Sequence, residues 1–186
     1  MAIATRKNMI VSIASGKGGT GKTTVAASLA AIVNNSVYID CDVEEPNGHL
    51  LLKPKITDEE VVTKLLPRFD YSKCRLCGRC VDNCEFNALI NLKFEILLID
   101  EMCHSCGVCA YFCPPGAIQE LPHVVGKIRN GITVDGNSFH DAFLRIGEAS
   151  AVPLIKSLKS KIDDNKINFI DSPPGTSCSM VETVKD

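Results

Sequence analysis

The chain has 186 residues, 45% of them hydrophobic, and a formal net charge of −2. That length allows one ordinary domain, or one domain with a small module inserted, and the apolar content excludes wholesale disorder. The near-neutral charge, with no long basic run, argues against nucleic acid as the main partner, and the absence of 18 consecutive apolar residues argues against a transmembrane helix.

Residues 1–15 contain Arg6, Lys7 and a short apolar run, Met9–Ala14, with no cleavage-type segment; the run reads as a buried strand. A reducing, cytoplasmic setting is therefore expected. There the ten cysteines would bind metal rather than pair as disulfides. Ser15–Thr24, SGKGGTGKTT, is a candidate phosphate loop. Val25–Val33 is Ala-rich and reads as a helix, stopped by Asn34-Asn35. Val37–Asp40 is a second strand with Asp40-Cys41-Asp42 at its carboxyl end. Strand, loop, helix and strand in this order make a βαβ unit and imply a buried, mostly parallel sheet.

The texture changes from about Leu65 to Leu121, where eight cysteines lie among short loops. Cys74, Cys77, Gly78, Cys80, Cys84 and Ala88 recur 29 residues later as Cys103, Cys106, Gly107, Cys109, Cys113 and Ala117, which points to a duplicated module. Beyond it the α/β texture returns. Val124–Ile128 reads as a strand, Gly147–Lys161 as a helix with Pro153 in its first turn, and Ile167–Asp171 as a strand leading into the loop Ser172–Ser177. The chain then stops at Asp186, within the start of a helix. These segments predict an α/β nucleotide-binding domain over 1–63 and 122–186, interrupted by an α+β module over 64–121.

Gly16-Lys17-Gly18-Gly19-Thr20-Gly21-Lys22-Thr23, followed by Thr24, satisfies G-x-x-x-x-G-K-[ST] between a strand and a helix. Glycines let successive backbone N–H groups turn toward phosphate oxygens, and the helix adds its positive end. Lys22 can reach the β- and γ-phosphates, and the Thr23 hydroxyl can ligate Mg²⁺. Asp171, at a strand's carboxyl end, occupies the place of a Walker B carboxylate; Asp40 and Asp42 end a second strand. Any one of these Asp residues could merely cap a turn.

The two cysteine runs, each C-x₂-C-x₂-C-x₃-C, follow the bacterial ferredoxin spacing for 4Fe–4S clusters. In that pattern the fourth Cys ligates the other cluster. One set is then Cys74, Cys77, Cys80 and Cys113, and the other is Cys84, Cys103, Cys106 and Cys109. Zinc is the alternative, favoured by a single C-x₂-C pair but not by two four-Cys runs in tandem. Glu85 stands after Cys84 where the pattern usually has Pro. Cys41 reads as a small buried residue, and Cys178 as a structural one for want of a matching second ligand. His104 and the other histidines are not needed as ligands.

The additional Lys17 in GKGGTGKT resembles the deviant Walker A motif of the MinD/Mrp/ParA/nitrogenase-iron-protein superfamily. Asp40-Cys41-Asp42 resembles its switch I and Asp171-Ser172-Pro173-Pro174-Gly175 its switch II. With the cysteine module, the chain resembles the members that carry an inserted ferredoxin domain. The resemblance implies ATP and Mg²⁺ as ligands alongside two 4Fe–4S clusters. It implies a homodimer, or a heterodimer with a related ATPase, in which Lys17 reaches the partner's nucleotide. Asp42 would position the attacking water and belong with Thr23 and Asp171 to the magnesium set. A redox-active ATP-dependent switch serving a redox protein partner is the leading expectation. Cluster assembly or delivery, and a positioning or partition ATPase without redox role, are the alternatives. Members of the class continue well past switch II, so a nucleotide domain with only about four strands, incomplete at its C-terminus and weak in adenine selectivity, is also expected.

Overall fold

In the computed structural model, which describes residues 9–185, the first apolar run forms β1 (Met9–Ile13), and α1 (Lys22–Ile32) starts inside the glycine-rich stretch. β2 (Ser36–Asp40), a short α2 (Gly48–Leu52) and a long β3 (Lys55–Phe69) follow. Next come the single turns α3 (Arg79–Asp82) and α4 (Val108–Tyr111), with the pair β4 (Leu89–Asn91) and β5 (Ile96–Leu98) between them. β6 (Ile118–Ile132), β7 (Ser138–Leu144), α5 (Val152–Lys159), β8 (Ile167–Asp171) and α6 (Cys178–Val184) complete the order.

Six strands form one sheet in the order β1-β8-β2-β7-β6-β3. β1, β8, β2 and β7 are parallel neighbours, and β6 runs antiparallel to β7. β2 lies inside the sheet and all five of its residues are buried. Its alternation feeds two cores. Val37 and Ile39 pack with Ile170, Leu154, Ile155 and Leu158, so α5 covers one face. Tyr38 packs with Phe139, Phe169, Ala26, Ala27 and Ala30, so α1 covers the other. The alanines let that helix lie close, and the Tyr38 ring stacks on Phe139 with centroids 5.6 Å apart.

The chain divides into two compact units. One takes the described residues up to Val62, Val125–Ile146, and Ser150 onward; the other takes Thr63–Val124 together with Gly147–Ala149. The second unit has a small core of Cys80, Leu89, Ile96 and Ile118.

The structure changes two expectations. The sheet has six strands rather than about four, because β3 and β7 were not foreseen. β3 holds Asp58, Glu59, Glu60 and Lys64, and β7 holds His140 and Asp141, a polarity that hides a strand. Partners across the sheet satisfy it: Asn130 donates to Glu60 at 2.6 Å, and Arg129 Nε donates to Asp141 at 2.9 Å. The helix expected over 147–161 begins only at Val152, with Pro153 in its first turn, where a missing N–H is harmless. Gly147 has φ +81°, outside helical geometry, and residues 147–149 leave the first unit altogether.

Candidate functional site

The phosphate-loop candidate connects β1 to α1 at the carboxyl edge of the parallel strands. Gly19 and Gly21 adopt φ of +72° and +85°, a left-handed geometry that suits glycine, and nothing stands within 4 Å of the space a Cβ would take there. The Ser15 hydroxyl donates to the Lys17 carbonyl at 2.7 Å and lies 2.8 Å from the Thr20 hydroxyl. Backbone bonds tie the loop to the strand ends. Ser172 N donates to Ile13 O at 3.0 Å, Gly175 N to Ser15 O at 3.2 Å and Cys41 N to Asp171 O at 2.9 Å. The segment that resembles switch II is thus tied to the loop through main chain, and the segment that resembles switch I is tied to switch II.

Gly18, Gly19, Thr20, Gly21, Lys22, Thr23 and Thr24 line an open groove of about 1020 Å³ with Asp42, Glu45, Asn47, Leu50, Leu51 and Pro174. Gly16 and Lys17 are exposed at the start of the loop and do not line this groove. Asp171 lies fully buried at the end of β8. The Tyr38 hydroxyl donates to its Oδ2 at 3.2 Å, while its Oδ1 is buried with no hydrogen-bond partner among the described residues. Burial raises the Asp171 pKa, and Thr23, Tyr38 and the Lys22 charge oppose the rise. An orphaned carboxylate oxygen beside a hydroxyl and an ammonium group is chemically suited to a hydrated divalent cation.

Strand register places Asp40 beside Asp171 on one side and Asp141 on the other. The three are handled differently. Asp40 accepts from Gly48 N at 2.9 Å and from Asp42 N at 3.1 Å, so it organises the loop after β2 instead of facing a ligand. Burial pushes its pKa up to about 8. Asp141 is neutralised by Arg129, whose guanidinium also lies 4.5 Å from the Phe143 ring centre. Asp42 points into the groove, its pKa pushed up to about 6 by burial and then by the Asp171 charge, against the pull of Lys22. Sequence reasoning missed Tyr38 and Gly48 as supports of this site. The period-two pairing of Tyr38 with Asp40 was the available signal.

In the second unit the sequence repeat is also a backbone repeat. Left-handed residues recur at Leu76 and Ser105, Gly78 and Gly107, and Asn87 and Gly116. The glycines immediately precede α3 and α4. Ala88 N donates to Cys84 Sγ at 3.4 Å, and Ala117 N to Cys113 Sγ at 3.2 Å. One pocket is lined by Cys84, Cys103, Cys106 and Cys109, with Phe86, His104 and Glu120 among its other walls. A second is lined by Cys74, Cys77, Cys80 and Cys113. Each thus combines three thiols of one run with the fourth of the other. The thiols surround a space and do not converge on a point: among the described residues, no group of three or more His, Cys, Asp or Glu is placed to hold a single metal ion. Cys77 and Cys106 are exposed, and burial pushes the Cys109 thiol up to about 11. Cys41 is buried in the first unit, and Cys178 is exposed at the start of α6. No helix among the described residues is long and apolar enough to cross a membrane.

An uncharacterized protein of Methanocaldococcus jannaschii is 33% identical over 186 residues, covering 96% of this chain and 64% of that protein. A second uncharacterized protein of the same organism is 28% identical over 188 residues, covering 95% and 65%. The chain therefore spans just under two thirds of the length of these relatives. The subunit HndD of an NADP-reducing hydrogenase from Solidesulfovibrio fructosivorans is 32% identical over 69 residues, 30% of this chain and 12% of that subunit. A putative formate dehydrogenase of Staphylococcus aureus is 34% identical over 68 residues, 29% of this chain and 7% of that protein. Residues 11–182 match the model of the CobQ/CobB/MinD/ParA nucleotide binding domain, and the loop, strand order and buried aspartate described above agree with it: the chain belongs to that family of P-loop nucleotide-binding proteins.

Proposed function

We propose that this protein binds ATP with Mg²⁺ in the loop groove, hydrolyses it as a dimer, and couples nucleotide state to electron transfer through two 4Fe–4S clusters. The observation that carries the redox half is the pair of cavities, each walled by four thiols drawn from both cysteine runs. Cys74, Cys77, Cys80 and Cys113 would hold one cluster, and Cys84, Cys103, Cys106 and Cys109 the other. Bound clusters would supply reversible one-electron chemistry. The protein's own part is to present thiolates, to donate N–H hydrogen bonds to Cys84 and Cys113, and to leave Cys77 and Cys106 at the surface, where a redox partner could approach. The local similarity to a hydrogenase subunit and a putative formate dehydrogenase, both named for redox reactions, supports the same reading.

In the nucleotide half, loop N–H groups and Lys22 would hold the phosphates, while Thr23 and Asp171 would hold Mg²⁺ directly or through water. Asp42, facing the groove beside Lys22, would orient the attacking water. Lys17 lies exposed outside the groove, free to reach the nucleotide of a second subunit, either another copy or a related ATPase. Positive charge delivered across an interface would stabilise the transition state only when the dimer closes.

The test is anaerobic reconstitution followed by iron analysis and reductive titration. About eight Fe per chain and two one-electron waves are expected from two cubanes. One or two zinc ions, without visible absorbance, would overturn the redox reading. Cys84→Ser should perturb the cluster otherwise held by Cys103, Cys106 and Cys109. Damage confined to the cluster of Cys74, Cys77 and Cys80 would overturn the crossed assignment.

A further inference from the structure

Lys64 occupies an inward position in the alternation of β3, where Val62, Lys64 and Leu66 turn away from solvent. Its side chain is only 5% exposed. Lysine is almost never buried to this degree without a partner, and here the partner is Glu148, with Nζ to Oε1 at 2.7 Å and the carboxylate only 3% exposed. His123 Nε2 lies 3.2 Å from the other carboxylate oxygen. Burial alone would raise the Glu148 pKa, but hydrogen bonds and charge from Lys64, followed by His123, hold it below the usual carboxylate range. Glu148 belongs to the three-residue segment Gly147–Ala149, which the second unit takes from beyond β7.

The ammonium group also donates to the Asp100 carbonyl at 3.3 Å, and Cys103 N donates to that same carbonyl at 3.3 Å. Lys64 is therefore one shared acceptor away from the backbone N–H of Cys103, the first cysteine of the second run. The cavity of Cys74, Cys77, Cys80 and Cys113 differs. Its basic neighbours Arg75 and Arg79 are exposed, where water and salt screen them. A buried ammonium acts through a lower effective dielectric and is screened much less.

We propose that Lys64, held in place by Glu148, is a positioning residue that sets the reduction potential of the cluster carried by Cys84, Cys103, Cys106 and Cys109. The proposal rests on the cluster reading above. Reduction adds one electron and no proton to that cluster, so the reduced form carries one more negative charge. A fixed cation joined through the Asp100 carbonyl to Cys103 favours the reduced form and raises the potential, and the Glu148 carboxylate offsets part of this. The pair thereby gives the two clusters unequal potentials, and electrons would collect on the second cluster.

The test is a mediated reductive titration of the full reconstituted chain, with dithionite as electron donor and electron paramagnetic resonance as readout. Lys64→Met should lower one midpoint. At a fixed potential the ratio of reduced to oxidised cluster should fall at least threefold, about 28 mV for a one-electron couple. Glu148→Gln should move the same midpoint upward, because the ammonium loses its counter-charge. This second variant also guards against a folding defect in the first. The midpoint that moves should be the one altered by Cys106→Ser, and the other should stay. No shift in either variant, shifts of the same sign, or equal shifts of both midpoints would overturn the role of Lys64. Absence of any iron–thiolate signal in the unsubstituted protein would overturn the cluster reading itself.

Discussion

At the residue scale, the two lysines of the loop occupy different surroundings. The charge of Lys22 is felt at Asp42 and Asp171, whereas Lys17 is exposed outside the groove. Lys22→Ala should weaken ATP binding by on the order of 10- to 100-fold, the worth of a hydrogen bond to a charged group. Lys17→Ala should leave binding to the monomer within about threefold while removing most hydrolysis, if catalytic charge comes from a partner subunit. Isothermal titration and phosphate release would separate the two; equal loss of binding in both variants would count against the trans role. His140 offers a pH test that involves no ligand. Burial, then the Lys161 charge, lowers its pKa to about 4, while Asn130 Oδ1 lies 2.7 Å from its Nδ1. Above pH 7 the ring is neutral in both folded and unfolded chains. As pH falls from about 6.5 toward 4, the unfolded chain takes up the proton first, so folding loses stability through this group. His140→Gln should therefore gain about 1–2 kcal/mol relative to the unsubstituted chain between pH 7 and pH 4, allowing for the partial exposure of the ring. Urea melts at the two pH values would check this, and a constant difference between the chains would refute it.

At the scale of elements, α2 and β2 are fitted through a glycine. A Cβ on Gly48 would overlap the Tyr38 ring and its hydroxyl, and Gly48 N holds Asp40. Tyr38 in turn donates to Asp171. Gly48→Ala should therefore destabilise the chain by about 1–3 kcal/mol through overpacking. It should also weaken Mg²⁺-dependent nucleotide binding, because the Tyr38 hydroxyl would be displaced from Asp171. Denaturant melts and titrations with and without Mg²⁺ would check both; a loss of stability with unchanged Mg²⁺ dependence would show that Tyr38 does not support the site. Elements also mark where sequence reasoning stopped. β1, α1, β2 and β8 were legible because apolar runs lead into a glycine-rich loop or end in aspartate. β3 and β7 were not, because Glu60, His140 and Asp141 look like surface residues until Lys161, Asn130 and Arg129 are beside them.

At the scale of the whole molecule, if the proposed clusters are bound, the two units should respond differently to their loss. The core of the second unit is small and built around its cysteines: Cys80 packs with Leu89, Ile96 and Ile118, and Cys84, Cys109 and Cys113 pack against that cluster, so cross-links through bound metal would carry much of its stability. Stripping iron with a chelator and oxidant should therefore expose the amides of residues 63–124 to hydrogen exchange by at least tenfold, a change of about 1.4 kcal/mol in local stability. Amides of β2 and β8, buried inside the first unit, should keep their protection. Uniform loss of protection over both units would show that they fold as one.

What the sequence determined alone was the chemistry available. A glycine-rich loop between strand and helix has few uses other than holding phosphate, and two tandem four-Cys runs set eight thiols at fixed spacings, because backbone reach limits what such spacings can surround. Short-range geometry of that kind is written in neighbouring residues. The tertiary structure decided the rest, because it depends on residues far apart in the chain. It set Asp40, Asp141 and Asp171 in one row and gave them three different roles by assigning Gly48, Arg129 and Tyr38 as partners. It also took Glu148, 84 residues beyond Lys64, out of an expected helix and placed it against a buried ammonium beside Cys103. Neither pairing follows from periodicity or spacing, since a buried charge reveals its partner only when both have left water.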